Sequence, residues 1–269
     1  MVEVDKTKLD DLIYNLEILK IALNLVKYDD SITNMDDIEG FACSICKKIV
    51  KSIETTIKVC YELDDFVAGC SLCRMLVDNV AILKLIYGEK NKDRKIYRHY
   101  LYVYDSLYQR FSKMPKTVIY DGKVSIEEYY KVQMSTQECL LNDAGGIGHC
   151  LKILNSHRYA AENPEFHKQS IEKRNWKFKR TEYCKKIKDN KYTWEEMYGL
   201  ITGNKRTIDF FSSHLSQYVH GLGLSNTNVE SDIKYSTIVV VLTVLVMQIA
   251  VDLYTIFPSL PKSELFKKS

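Results

Sequence analysis

The sequence predicts an all-α fold, a helical bundle with an irregular, basic insertion between its N-terminal and C-terminal helices. Apolar residues recur at spacings of three and four over long stretches, which is the period of an amphipathic helix. The 269 residues include only 11 Gly and 4 Pro, too few for a turn-rich β-sandwich or barrel. A composition of 46% hydrophobic and 27% charged residues excludes intrinsic disorder.

The first half of the chain contains a succession of helical patterns with clear end signals. Asp64 or Asp65 can cap the third helix, and Pro115 follows the fourth, where a helix cannot continue. Ser125 and Glu128 have the spacing of a capping box at the start of the fifth. The predicted helices are residues 5–28, 34–61, 65–87, 90–114 and 125–141.

The second half is less regular. We expect residues 142–148 (NDAGGIG) to form a loop, because three glycines lie close together. Thr193 and Glu196 predict a second capping box and a short helix. Two further helices are predicted at 205–220 and about 231–257, separated by 221–228. We interpret residues 1–269 as a single helical domain with a weak seam within 142–192.

The N-terminal residues show no basic region followed by an apolar run, so we expect no signal peptide and a cytoplasmic protein. Residues 237–257 approach the length of a membrane span. Gln248 and Asp252 interrupt this run, and an Asp in lipid costs about 2.5–3.5 kcal/mol on insertion scales. We therefore interpret the segment as a buried core helix; a membrane span is the alternative.

Two Cys-x-x-Cys pairs resemble metal ligands in spacing: Cys43 with Cys46, and Cys70 with Cys73. Both lie inside helical periodicity and lack the tight turns of zinc knuckles, so we interpret them as buried structural thiols, with a zinc or redox site as the alternative. The Gly145–Gly148 stretch lacks the Lys-Ser/Thr of a phosphate-binding P-loop. The sequence therefore predicts no metal and no cofactor.

A basic segment, residues 168–188, holds nine Lys and Arg and only two Glu. The aromatic rings of Trp176 and Phe178 alternate with these cations, a combination that can hold phosphates and stack on bases. A solvated surface segment is the alternative. The residues of this segment that we propose as substrate contacts are Arg174, Trp176, Lys177, Lys179 and Arg180.

A second candidate site combines polar residues from two predicted helices. Arg74 and Asp78 are four residues apart on the third helix and share its face, surrounded by apolar neighbours. Ser216 and His220 are again four apart near the C-terminus, with Tyr218 between them. If these side chains converge, they form a polar network that either performs chemistry or fixes the packing of the helices.

These residues carry a resemblance that spans roughly residues 40–255. Arg74 with Asp78, the later Trp176, and Ser216 with His220 resemble an uncharacterised bacterial family of helical proteins with Arg-x-x-x-Asp/Glu and Ser-x-x-x-His helices. That family is in turn distantly similar to the HEPN (higher eukaryotes and prokaryotes nucleotide-binding) group. The nuclease signature of that group is an Arg followed four to six residues later by a His; here we assign the two roles to Arg74 and His220.

The resemblance implies a metal-independent endoribonuclease of a toxin or phage-defence type, a homodimer, and an antitoxin or defence-system partner. His220 would be the acid/base and Arg74 the phosphate clamp, Asp78 would orient one of them, and Ser216 or Tyr218 would bind phosphate. Two alternatives stay open at this point. One is a non-catalytic helical module that binds a nucleotide, RNA or a protein; the other is a membrane-anchored effector that uses residues 237–257.

Overall fold

A computed structural model describes residues 6–26, 34–219 and 234–261 of the chain. Regular secondary structure across these residues is helical, and β pairing within them is limited to one isolated antiparallel bridge between Phe178 and Lys191. The predicted all-α fold is confirmed.

The chain separates into two compact units. The first combines Met1–Asn91 with Thr193–Ser269, and the second is Lys92–Tyr192. The boundary at residue 192 coincides with the end of the predicted seam, whereas the other boundary lies about fifty residues before the seam begins. The basic segment therefore belongs to the second unit, and Arg74, Asp78 and Ser216 belong to the first.

The first unit begins with long helices whose apolar faces form its core. Asp37 and Asp65 cap the second and third of these helices, each accepting a backbone N–H through its side chain, as the sequence predicts for Asp65. The third helix packs against the second and against the later helices at residues 194–198, 215–219 and 234–256. The helices are α1 (Lys6–Asn24), α2 (Ile38–Tyr61) and α3 (Phe66–Ile86).

Small residues allow α2 and α3 to approach closely. A Cβ added to Gly69 would clash with the Cys60 Sγ, so a larger residue at this contact requires the thiol to move. Cys43, Cys46, Cys70 and Cys73 are all buried free thiols on these two helices. Thiols are small and apolar enough to fill such an interface without the volume of a leucine.

The second unit consists of four α-helices and an irregular segment. The helix that follows the capping box at Ser125 and Glu128 continues to Ser156, so the predicted loop at 142–148 is wrong. Its glycines cost helix stability, but Leu140, Cys150 and Leu154 are buried on the other side and keep this stretch helical. The helices are α4 (Lys92–Lys113), α5 (Ile126–Ser156), α6 (Arg158–Glu162) and α7 (Pro164–Glu172), with a 3₁₀ turn at Ile187–Asn190.

The C-terminal part returns to the first unit. The predicted capping box of Thr193 and Glu196 is present, and the predicted helix at 205–220 is interrupted by a π-helical turn at Phe210–His214. The helices are α8 (Trp194–Tyr198), α9 (Lys205–Asp209), α10 (Leu215–Val219) and α11 (Lys234–Ile256). The predicted connection at 221–228 lies outside the described residues.

Helix α11 packs against α1, α2 and α3. The polar residues that interrupt its apolar run find a partner on α3, because the Lys84 Nζ donates to Asp252 at 2.6 Å and to Gln248 at 2.9 Å. Among the described residues, Phe66–Ile86 and Tyr235–Ile256 are long and apolar enough to cross a membrane. This is weak evidence for a membrane protein, since the core helix of a soluble protein meets the same criteria.

Candidate functional site

The structure brings Arg74, Asp78 and Ser216 together in the first unit. The Arg74 Nη1 donates to the Asp78 carboxylate in an ion pair, and the Arg74 Nε donates to the Ser216 Oγ at 3.4 Å. The spacing of four residues on α3 produces the first contact, and the packing of α10 on α3 produces the second. We refer to these three residues together with Tyr198 as the Arg74 cluster.

Tyr198 is the member of the cluster that the sequence did not predict. Its hydroxyl donates to the Asp78 Oδ1 at 2.8 Å, and the Arg74 guanidinium lies 5.1 Å from its ring centroid. Burial, followed by the hydrogen bond to Asp78, raises the pKa of Tyr198, so the hydroxyl stays protonated and remains a donor. Its local sequence, on α8 after the Thr193 cap, carries no signal for this contact, because the contact depends on the packing of α8 against α3.

The Arg74 cluster is partly open to solvent. The side chains of Arg74 and Asp78 are 15% and 29% exposed, whereas Tyr198 is fully buried. The cluster therefore consists of a buried tyrosine ring beneath a guanidinium and a carboxylate that keep partial contact with solvent. Such a guanidinium can bind an anion through N–H groups that Asp78 does not use.

Of the other two predicted site residues near the C-terminus, Tyr218 and His220, the structure describes only Tyr218. Tyr218 lies on α10, and its ring contacts Phe66 and His214 at centroid distances of 5.6 and 5.4 Å. Burial raises the pKa of its hydroxyl. His220 lies outside the described residues, and its approach to Arg74 stays a prediction.

The π-helical turn comes directly before α10. Within it the rings of Phe210 and His214 stack at 4.8 Å, and Phe211 is buried against Tyr198 at 6.1 Å. A π turn adds one residue to the helical repeat and so changes which side chains of the next turn face a neighbouring helix. It therefore sets the direction in which Ser216 points.

The basic segment does not present the stacking rings that the sequence predicted. Trp176 is 8% exposed and donates from its indole to the Asp105 Oδ2 at 3.2 Å, and Phe178 is fully buried. Both rings belong to the core of the second unit, where neither presents a face for stacking on a base. Packing against α4 decided their direction, which the local sequence does not specify.

Four of the nine cations of the basic segment contact other groups of the second unit. Arg174 pairs with Asp105 at 3.2 Å and covers the Tyr108 ring at 4.2 Å. Lys177 and Lys179 lie over the rings of Trp176 and Tyr192. Arg180 donates to the Cys184 Sγ at 3.3 Å. The other five cations of the segment are exposed lysines, as expected for a solvated surface segment.

An arginine–histidine pair with the HEPN spacing lies on α4. Arg94 precedes His99 by five residues. His99 is fully buried and the adjacent Arg98 is 2% exposed, and the Arg98 Nη2 donates to the Phe178 carbonyl at 2.7 Å. The histidine cannot reach a substrate in this conformation, so spacing alone is not a sufficient signal.

The cysteine pairs fit the interpretation as structural thiols. No group of three or more His, Cys, Asp or Glu side chains suited to a metal ion occurs in the part of the chain that the structure describes. Burial raises the pKa of Cys46 and Cys73 well above the usual value and that of Cys60 to about 12. These groups are neutral thiols at pH 7, and thiolates are the form that binds metals or attacks disulfides.

Comparisons with known proteins add no relative to this geometry, since no family model, curated protein or solved structure matches the chain.

Proposed function

We propose that the protein is a metal-independent endoribonuclease in which the Arg74 cluster binds the scissile phosphate and His220 is the acid/base. The observation that carries the proposal is the partial exposure of the Arg74 guanidinium beside Ser216. His220 follows Ser216 by four residues in the sequence, which is the reason for choosing it.

The chemistry uses the RNA 2′-hydroxyl as the nucleophile. Its oxygen attacks the adjacent phosphorus while the bond from phosphorus to the 5′-oxygen breaks, which leaves a 2′,3′-cyclic phosphate and a 5′-hydroxyl. An imidazole can take the proton of the 2′-hydroxyl and return a proton to the leaving oxygen, because its pKa lies near neutrality. The Arg74 guanidinium would stabilise the charge that develops on the phosphate oxygens.

Asp78 and Tyr198 would position the arginine in this scheme. Asp78 accepts from both Arg74 and Tyr198, so it holds the guanidinium over the Tyr198 ring. An arginine fixed in this way loses less side-chain entropy when it binds an anion than a mobile surface arginine would.

The test is cleavage of a fluorescent single-stranded RNA pool in the presence of EDTA. We expect wild type to release fragments with cyclic phosphate ends, and Arg74→Lys and His220→Ala to lose at least about 100-fold in rate, the usual size of a general acid–base or charge-stabilising contribution. Arg206→Ala, which removes an exposed arginine of α9 in the same unit, should cut at the wild-type rate. Equal rates for Arg74→Lys, His220→Ala and wild type would disprove the proposal.

A second candidate function is supported by the ion pair itself. Asp78 already balances the charge of Arg74, as expected for a non-catalytic helical module that binds a nucleotide, RNA or a protein through another surface. In that case no variant and no wild-type preparation cleaves RNA, and Arg74→Lys lowers the melting temperature instead. Measuring both quantities on the same samples separates the two candidates.

A further inference from the structure

A row of four aromatic rings runs from the π-helical turn to the start of α3. The centroids of the Phe210 and His214 rings are 4.8 Å apart, and the two rings are nearly parallel. The His214 ring is 5.4 Å from the Tyr218 ring, which is 5.6 Å from the ring of Phe66. These are separations at which aromatic rings attract one another. We call Phe210, His214, Tyr218 and Phe66 the aromatic row.

The aromatic row lies at the surface of the first unit. His214 is exposed and the other three rings are half-buried, whereas Phe211, the neighbour of Phe210 in the chain, is fully buried against Tyr198. Burial of apolar surface explains the position of Phe211. It does not explain a continuous line of rings that keeps contact with water, which is the kind of surface that marks a binding site.

The π-helical turn places Phe210 and His214 on this surface. The Leu215 N–H donates to the Phe210 carbonyl five residues before it, so the turn contains one residue more than an α-helical turn. Phe211 and Leu215 of the same stretch are buried. Turns of this kind are rare and occur frequently at functional sites, which favours a ligand-binding role for the two rings that this one carries.

The aromatic row adjoins the Arg74 cluster. Ser216, which accepts from the Arg74 Nε, is two residues before Tyr218 on α10. Burial, followed by the neighbouring Cys70 thiol, raises the pKa of Tyr218, so the Tyr218 hydroxyl lies near Cys70. Cys70 is four residues before Arg74, about 6 Å along the axis of α3. One strand can therefore contact the guanidinium with a phosphate and the row with the neighbouring bases.

We infer that the aromatic row stacks on the unpaired bases of a single-stranded RNA whose phosphate lies on Arg74. The inference rests on the proposed function, because it assigns both contacts to the same strand. Every base has a π face, so stacking on rings holds a strand without selecting its sequence. The bases of a duplex are paired and stacked on each other, so the row distinguishes single-stranded from double-stranded RNA.

The position of Arg74 favours RNA over a protein as the occupant of the aromatic row. Sites for single strands combine stacking rings with cations that hold the backbone, and the partly exposed Arg74 guanidinium supplies a cation at the edge of the row. A protein partner would need neither a phosphate nor a base. The experiments therefore compare strands with and without bases.

The first experiment measures binding of the full chain to a short fluorescent single-stranded RNA by anisotropy. Methyl groups on its 2′-oxygens block the nucleophile and so prevent cleavage. We expect His214→Leu to raise the dissociation constant at least about fivefold, the lower end of what stacking on one ring contributes. His214→Phe keeps a ring and should bind within about twofold of wild type.

Tyr14→Leu is the matched control for the loss of a ring. Tyr14 is 60% exposed on α1, a helix of the same unit that packs against α2 and α11. Its substitution should leave the dissociation constant within about twofold of wild type. The inference is wrong if wild type does not bind this RNA, or if His214→Leu binds it as Tyr14→Leu does.

The second experiment replaces the RNA with an abasic strand of equal length, which keeps the phosphates and lacks the bases. Wild type should bind the abasic strand at least about fivefold more weakly than the RNA, and His214→Leu should weaken this binding no further. Equal affinity of wild type for the two strands would show that phosphates alone hold the strand, and would overturn the inference.

Cleavage of an unmethylated strand of the same sequence separates the inference from the proposed function. RNA that binds through the aromatic row and stays intact removes the nuclease and leaves the row as a surface for single strands. Cleavage by wild type together with unchanged binding by His214→Leu leaves the nuclease and overturns the role of the row.

Discussion

The Arg74 cluster and the basic segment both place arginine beside aromatic rings that are not available to a ligand, but the two arginines bind different partners. Both side chains keep partial solvent contact, with Arg74 15% exposed and Arg174 31% exposed. Arg74 lies on a regular helix with its guanidinium partly open. Arg174 lies at a left-handed backbone position with a φ of 48° and turns toward Asp105 and Tyr108 of α4. A basic, aromatic composition therefore indicates a binding surface only where the local backbone fixes which way the side chains point.

The largest expected effect concerns Asn190, which holds the irregular part of the basic segment together. Its buried side chain accepts from the backbone N–H groups of Lys179 and Arg180 and donates to the carbonyls of Arg180 and Glu182. Asn190→Ala leaves several of these groups without a partner, so we expect the free energy of unfolding to fall by about 3 kcal/mol or more. Urea denaturation measures the loss, and limited trypsin digestion should cut within 179–188.

The exposed Lys188 supplies the control for that comparison. Lys188→Ala should change the free energy of unfolding by less than about 0.5 kcal/mol. If Asn190→Ala digests and unfolds like Lys188→Ala, the basic segment is a loosely held surface loop, and the contrast with the Arg74 cluster disappears.

The next effect concerns the Arg74 cluster. Asp78→Ala removes the acceptor of both Arg74 and Tyr198, and we expect the free energy of unfolding to fall by about 2 kcal/mol, less than for a fully buried pair because both side chains keep some solvent contact. Urea denaturation at neutral pH measures it. Asp209→Ala breaks an exposed pair with Lys205 at the same spacing of four residues and should cost less than about 1 kcal/mol; equal losses would show that the cluster is an ordinary surface ion pair.

We expect the second unit to lose stability in acid. Burial lowers the pKa of His157 and of His167 in the second unit, and the neutral His167 accepts from the Tyr97 hydroxyl at 2.9 Å and donates to Asn155 at 3.0 Å. The unfolded chain then binds more protons than the folded one below about pH 6.5, so stability falls as the pH decreases, by up to about 1.4 kcal/mol per histidine and pH unit.

His167→Gln isolates this contribution, since glutamine keeps hydrogen-bonding groups but does not titrate. We expect the melting temperature of the variant to fall less than that of wild type between pH 7 and pH 5. Parallel curves for the two proteins would show that His167 does not contribute to the acid sensitivity of the second unit.

The sequence predicts the features of this protein that depend on residues within one helical turn of each other, and it misses those that depend on packing between distant parts of the chain. The capping residues Asp65, Ser125 and Thr193 act within one helical turn, and all three are where the sequence places them. The helix through Gly145 was missed because burial of the opposite side of α5 outweighs the helix propensity of glycine.

The candidate site shows the same limit. The pairing of Arg74 with Asp78 follows from helical spacing. The approach of Ser216 to Arg74 depends on the packing of α10 against α3, which the sequence alone does not specify. Tyr198 was missed because it reaches Asp78 from 120 residues away in the chain, and nothing in its immediate sequence indicates that distance.

The smallest expected effect on stability is that of Ser216→Ala, and this variant best distinguishes a structural role of the Arg74 cluster from a catalytic one. The bond from the Arg74 Nε to the Ser216 Oγ is long, at 3.4 Å, so Ser216→Ala should lower the free energy of unfolding by less than about 1 kcal/mol. If the cluster binds a phosphate, the same change removes a donor beside the guanidinium and slows RNA cleavage by more than its effect on stability explains. A loss of stability without any change in cleavage would assign Ser216 to helix packing alone, because a residue that touches the substrate cannot be removed without affecting the reaction.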